Sequence, residues 1–164
     1  MSTPTTDSDH LPVISLSTDD AGEILTLQRA AYLSEAQLHN DLTIPPLTET
    51  LAEVRTQLAR EDVRRWGIRS HRRLVAAVRV TIRGHDAELG RFTVVPDRQG
   101  EGLGTRLLRH VERHLPPAVT TISLFTGELS AANLRLYRRH GYDETHRSPA
   151  GHYELVHLTK VLPR

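Results

Sequence analysis

Three glycines fall on alternate positions, Gly100, Gly102 and Gly104, inside the stretch VVPDRQGEGLGTRLL that spans residues 94–108. Glycine loses more backbone freedom on folding than any other residue, so such a cluster marks a place where the chain takes a shape that other residues resist. An apolar run from Phe92 to Val95 ends at Pro96, and an amphipathic pattern begins at Leu103, so the glycines stand between a strand and a helix. At that kind of junction successive backbone N–H groups converge on one point and the helix dipole adds positive potential, which suits phosphate or pyrophosphate. A tight turn with nothing bound fits the same residues. Two nucleotide loops are excluded: a P-loop needs a lysine after its last glycine, where this chain has Thr105, and GxGxxG needs a glycine at that same position.

Other reactive groups are few. The chain has no cysteine, which excludes disulfides, Cys-based metal sites and a thiolate nucleophile, so a transferred group passes directly to its acceptor or uses another residue. His110 and His114, in HVERH, stand one helical turn apart as in HExxH zinc sites. The glutamate after the first histidine is missing and no third ligand is evident, so a solvated helix face, without metal, is expected. The 21 basic and 20 acidic residues nearly cancel, which argues against nucleic acid as a partner. Lysine occurs once, at Lys160, and the arginine excess reads as the codon bias of a GC-rich, bacterial genome. At 164 residues one domain is expected, over 11–164, behind a disordered polar tail at 1–10. That tail lacks the order of a secretory signal, and no apolar run nears the roughly 20 residues of a membrane span, so a cytoplasmic protein without a membrane partner is expected.

The elements that would position the glycine junction follow from periodicity. VISLS (13–17) suggests a strand, STDD a capped helix start, and that helix should run through Ala31. YLSEAQLHNDLTIPP breaks the period, after which Leu47, Leu51, Val54 and Leu58 mark a second amphipathic helix. Strands are expected at 64–70, 73–83 and 86–95. Leu103, Leu107, Leu108, Val111 and Leu115 form one helical stripe ended by Pro116 and Pro117. A strand at 118–126, a short helix in SAANLRLYRRHG and a closing strand, YELVHLTKV, complete a mixed sheet with helices on its faces.

With these elements in order, the chain resembles the GNAT superfamily of acetyl-CoA-dependent N-acetyltransferases. The family's pyrophosphate loop follows [Q/R]-x-x-G-x-[G/A] between a strand and a helix, filled here by Gln99, Gly102 and Gly104. A second family motif, N-x-x-[AVL]-x-x-[FY]-Y leading to G-[FY], is similar to NLRLYRRHGY, with Asn133, Tyr137, Gly141 and Tyr142. The resemblance spans roughly residues 13 to 162. It implies an α+β (α/β) fold with a mixed, mostly antiparallel central sheet flanked by helices. It also implies transfer of acetyl from acetyl-CoA, a cosubstrate, to a primary amine in a ternary complex.

That chemistry needs a neutral amine, and amines of ordinary pKa from about 8 to 10 are mostly protonated at neutral pH, so a base must help. Thiolate departure benefits from an acid, and the carbonyl oxygen needs a donor. By resemblance, backbone N–H groups along Phe92, Thr93, Val94 and Val95 serve the acetyl and pantetheine groups. The loop Gln99, Gly100, Glu101, Gly102, Leu103, Gly104 and Thr105 takes the pyrophosphate, and Asn133 contacts the cofactor. Tyr137 is the acid and a further cofactor contact; Glu88, 11 residues before Gln99, resembles the glutamate base of histone-acetylating relatives. Each has a plain alternative: Tyr137 as a packing aromatic, Glu88 as a solvated strand-edge carboxylate beside Asp86, Asn133 as helix decoration. The segment after the first helix, with Tyr32, Glu35, Gln37, His39 and Asp41, is expected to line the acceptor site; Tyr32 and Glu35 are the substrate-binding candidates. The implied partners are an amine acceptor, small molecule or peptide, and a second copy of the chain as a homodimer. A catalytically silent acyl-CoA-binding module is the alternative.

Overall fold

Leu74, Val75, Ala76, Ala77 and Val78 are consecutive and all buried, so the strand that carries them is covered on both faces. In the computed structural model, which describes residues 11–164, this strand lies third in one seven-stranded sheet. The chain runs β1 (Val13–Ser15), α1 (Ala21–Leu38), α2 (Pro45–Thr48), α3 (Leu51–Leu58), β2 (Val63–Ser70), β3 (Arg73–Arg83), β4 (Asp86–Val94), α4 (Leu103–His114), β5 (Thr121–Gly127), α5 (Ala131–Arg139), β6 (Asp143–Ala150) and β7 (Tyr153–Val161). Strand order is β1-β2-β3-β4-β5-β7-β6, and every pairing is antiparallel except β4 with β5. This is the expected mixed, mostly antiparallel α+β architecture. The helix between the two parallel strands is α4, whose stripe Leu103, Leu107, Leu108 and Val111 is at most 1% exposed. Residues 1–10, expected as a tail, lie outside the described residues.

The capping signal in STDD works as read. The Ser17 Oγ accepts from the Asp19 N–H, the Asp20 carboxylate accepts from the Ser17 N–H, and a short 3₁₀ turn leads into α1. Three expectations need correction. First, α1 continues to Leu38 rather than stopping at Ala31. Its inward positions Gln28, Tyr32, Glu35 and His39 keep helical spacing but are polar because they face clefts and loops, so the hydrophobic signal fades while the helix goes on. Second, the expected helix over Leu47–Leu58 is two, because Glu49 takes an extended ψ of 131° and Thr50 caps the second through its hydroxyl to the Glu53 N–H. Third, β6 has no counterpart in the sequence expectation. As a sheet-edge strand with sequence DETHRSPA it buries no residue, and so carries no apolar alternation.

Candidate active site

The parallel ladder between β4 and β5 is short. Asp86, Ala87 and Glu88 pair with Thr121, Ile122 and Ser123, and there it ends. Asp86 clamps the closed end, accepting at 2.8 Å from both the Thr121 and the Ser123 hydroxyls. Beyond Glu88 the strands part, leaving one side of β4 without a ladder partner. Val95 donates its N–H to the Val75 carbonyl, so by alternation the polar groups of Val94 turn the other way, into the gap; the Gln99 side-chain amide meets the Val94 carbonyl there at 3.4 Å.

The glycine junction completes this gap. Gly100 and Gly102 both have φ of 81°, left-handed backbone that a side chain resists, and nothing stands within 4 Å of where a Cβ would project. The first helical bond of α4 runs from the Arg106 N–H to the Gly102 carbonyl, and the cap at Gly102 carries no side-chain bond. The amides of Leu103, Gly104 and Thr105 therefore present themselves uncapped at the positive end of a 12-residue helix. This arrangement fits a pyrophosphate. Gly104 is close-packed instead, its Cβ position 3.4 Å from the Phe92 ring.

Two cavities meet on this face. The first, about 420 Å³, is lined by Phe92, Thr93 and Val94 of β4, Gln99, Gly100, Gly102, Leu103, Gly104 and Thr105 of the loop, and Asn133 of α5. The second, about 630 Å³, lies between the α1–α2 loop, the end of β5 and the β6–β7 turn. Tyr32, Glu35 and Asn133 line both. Glu35 accepts a short hydrogen bond from the Ser130 hydroxyl, and the Asn133 amide lies 3.5 Å from its other oxygen and 3.4 Å from the Thr126 hydroxyl. Burial pushes the Tyr32 phenol up to about 12, against the pull of Arg91 and of the Phe92 backbone amide on its hydroxyl. His39 donates from Nδ1 to the Glu35 carbonyl and accepts at Nε2 from the Leu129 N–H. Its ring nitrogens are thereby occupied, and the ring sits where any side chain on Gly127 would be, 2.2 Å from that Cβ position.

Most of the expected site residues gather here. Val95 and Glu101 do not line the cleft: Val95 is buried with its amide in the sheet, and Glu101 pairs with Arg98 at 2.7 Å. Tyr137 sits just behind the wall, 4% exposed, with its ring 6.1 Å from that of Phe92. Burial raises its pKa strongly, and the nearby Tyr32 and Glu35 raise it further. Glu88 lines neither cavity. It ion-pairs with Arg83 at 3.3 Å and its carboxylate bears on His157, so the base role expected for it finds no support in its position. The quoted motif sets its asparagine seven residues before the tyrosine; that position is Ser130, with Asn133 one turn later, and both reach Glu35. The sequence gives no signal for Arg91, Phe125, Thr126, His152 of the β6–β7 turn and Tyr153 at the start of β7, all in the second cavity. Only the fold brings these distant segments together. His110 and His114 stack at 3.8 Å on α4, with His114 Nδ1 bonded to the His110 carbonyl.

Solved structures share this architecture. The ribosomal-protein-S18-alanine N-acetyltransferase of Escherichia coli superposes with a TM-score of 0.79 at 19% identity, over 94% of this chain and 95% of that one. The PaiA N-acetyltransferase of Thermoplasma acidophilum, solved in complex with coenzyme A, gives 0.77 at 14% identity, over 92% and 98%. The spermidine N-acetyltransferase of Vibrio cholerae, solved with CoA and spermine, gives 0.73 at 15% identity, over 94% and 96%. No curated protein matches the sequence significantly. Family membership rests on the sequence itself: the model of the acetyltransferase (GNAT) family matches residues 28–142, and with the splayed strands and glycine loop in place, this chain belongs to that family and is an acyltransferase.

Proposed function

We propose that the protein transfers an acetyl group from acetyl-CoA directly to a primary amine, with Glu35 as the proton acceptor and Tyr137 as the proton donor. The observation that carries this is the shared wall: Tyr32, Glu35 and Asn133 belong to both cavities, so a donor in the β4–α4 gap and an acceptor in the second cavity meet beside them. The bound cosubstrate would supply the thioester. The amides of Leu103, Gly104 and Thr105 hold its pyrophosphate, and the outward polar groups of Val94 align the pantetheine arm as a strand would.

Each remaining role falls to a residue of this chain. Glu35 has two oxygens and so retains lone pairs beyond those taken by Ser130 and Asn133, enough to receive the amine proton. His39 is a poor base because its Nε2 lone pair is already engaged by Leu129. Tyr137, kept protonated by burial, is in the state that a donor to the leaving thiolate requires. A silent acyl-CoA-binding module would need neither a second cavity of this size nor a carboxylate at its mouth. The test is a panel of amines scored for CoA release from acetyl-CoA, with acetyl-CoA binding followed separately by thermal shift. Acetylated product from at least one amine supports transfer; binding without turnover on every class of amine would assign the silent module.

A further inference from the structure

Arginine and lysine make up 21 residues of the chain, yet among the described residues Arg91 is the one member of that set lining the second cavity. It sits at a β-bulge, where the β3–β4 register slips between Ala77 and Arg79, and its φ of 48° is left-handed although it is not glycine. Its guanidinium reaches the link between α2 and α3. There it meets Glu49, at 3.4 Å, but Glu49 already receives Arg79 at 3.3 Å and the Gln28 amide at 3.2 Å. One carboxylate thus faces two guanidinium groups, all three side chains at most 20% exposed, and the cluster keeps one positive charge in excess. The Arg91 Nε is buried with no hydrogen-bond partner.

The carboxylates of the same cavity do not answer that charge. Neither ion-pairs with Arg91: Asp41 accepts from the Thr43 amide and hydroxyl and from the Tyr153 hydroxyl, and Glu35 from Ser130 and Asn133, neutral donors that leave both carboxylates charged and set apart from the guanidinium. Between these poles the walls are apolar: Ile44, Pro46, Phe125 and Leu155. The cavity is also bridged. His152 Nε2 lies 2.6 Å from the His39 carbonyl and the Tyr153 hydroxyl donates to Asp41, tying the β6–β7 turn across to the α1–α2 loop.

We propose that the acceptor is a small amine that also carries a carboxylate and an apolar side chain, an amino-acid-class substrate, anchored by Arg91 through its carboxylate while its amine meets Glu35. The proposal rests on the acetyltransferase reading. A buried cation in excess is a costly state that an anionic ligand group relieves, and a guanidinium meets a carboxylate with strong, directional hydrogen bonds. The amine end falls on the shared wall between the cavities, where transfer would occur. A diamine offers Arg91 no anion and brings a second cation in its place.

The experiment compares kcat/KM of the wild-type protein for apolar amino acids, for the same amino acids as carboxamides, and for an aliphatic diamine. Free carboxylates are expected to be preferred over their amides by about 10- to 100-fold, the range of a charge-assisted hydrogen bond, and over the diamine by more. In Arg91→Gln that preference should vanish while acetyl-CoA binding persists, and Arg91→Lys should restore part of it. The wild-type ratios alone decide the matter if a variant fails to fold. Amides or the diamine turned over as well as or better than the carboxylates would overturn the anchor and leave acetyl transfer standing; no turnover of any amine, with acetyl-CoA bound, would overturn both.

Discussion

At the residue scale the proposed base is Glu35 rather than Glu88. Both are carboxylates, but Glu88 spends its charge on Arg83 beside the last rung of the β4–β5 ladder, whereas Glu35 stands where two cavities join. Glu35→Gln keeps size and one acceptor oxygen but cannot take a proton, so kcat/KM should fall by about 10²- to 10⁴-fold, the usual worth of a positioned base. Glu88→Gln should stay within about threefold of wild type in the same assay, and a reversed order would restore Glu88 to the mechanism. For Tyr137→Phe we expect kcat to drop by a similar factor with CoA affinity and melting temperature near wild type, since only a hydroxyl is lost while the ring keeps its contact with Phe92. A rate near wild type in the folded variant would reduce Tyr137 to packing.

At the scale of elements, the gap between β4 and β5 depends on where pairing stops. Asp86 fixes the closed end of the β4–β5 junction, and the two left-handed glycines fix the open end against α4. Gly102→Val places a branched side chain on a backbone with φ of 81° and into the space before the α4 amides. It should abolish the rise in melting temperature that acetyl-CoA gives the wild type, which follows RT ln(1 + [L]/Kd). Because nothing packs around that Cβ position, the variant should still fold, as read by circular dichroism. An undiminished thermal shift would remove the loop from binding.

For the whole molecule, several carboxylates sit below their ordinary pKa. Burial pushes Glu49 up, but Arg79, with Arg91 and Gln28, outweighs it and holds the carboxyl low; Asp62 and Asp97 are lowered chiefly by hydrogen bonds from Arg60 and Arg73, and Glu144 by Arg147. A carboxylate whose pKa is lower folded than unfolded adds stability above its unfolded value, near 4, and loses it as pH drops through the folded value. Burial likewise lowers the pKa of His110 and His157, so the unfolded chain takes up their protons first as pH drops below about 6.5. Melting temperature should therefore decline modestly between pH 7 and about 5 and fall steadily below about 4. Glu49→Gln should flatten part of that fall. A melting temperature that rose on acidification would contradict the arginine–carboxylate pairings as stabilising contacts.

The sequence by itself determined the features that recur along the chain at fixed spacing. The α4 stripe, the β2 and β3 strands, the Ser17 cap and the glycine junction were all legible, because burial against a sheet imposes a period and left-handed turns demand glycine. Where a helix face turned from core to cleft, as α1 does after Ala31, or a strand lay at the exposed edge, as β6 does, the period vanished and so did the signal. Of the second cavity, the wall with Tyr32, Glu35, His39 and Asp41 was expected from the segment after the first helix, and the rest was decided by tertiary structure. Arg91, Phe125 and His152 are far apart in sequence and share no pattern, and they join that wall because a bulge in β4, the parting of β4 from β5 and the β6–β7 turn bring them there. Periodicity records what faces the core, whereas a site is lined by residues that several elements turn away from it.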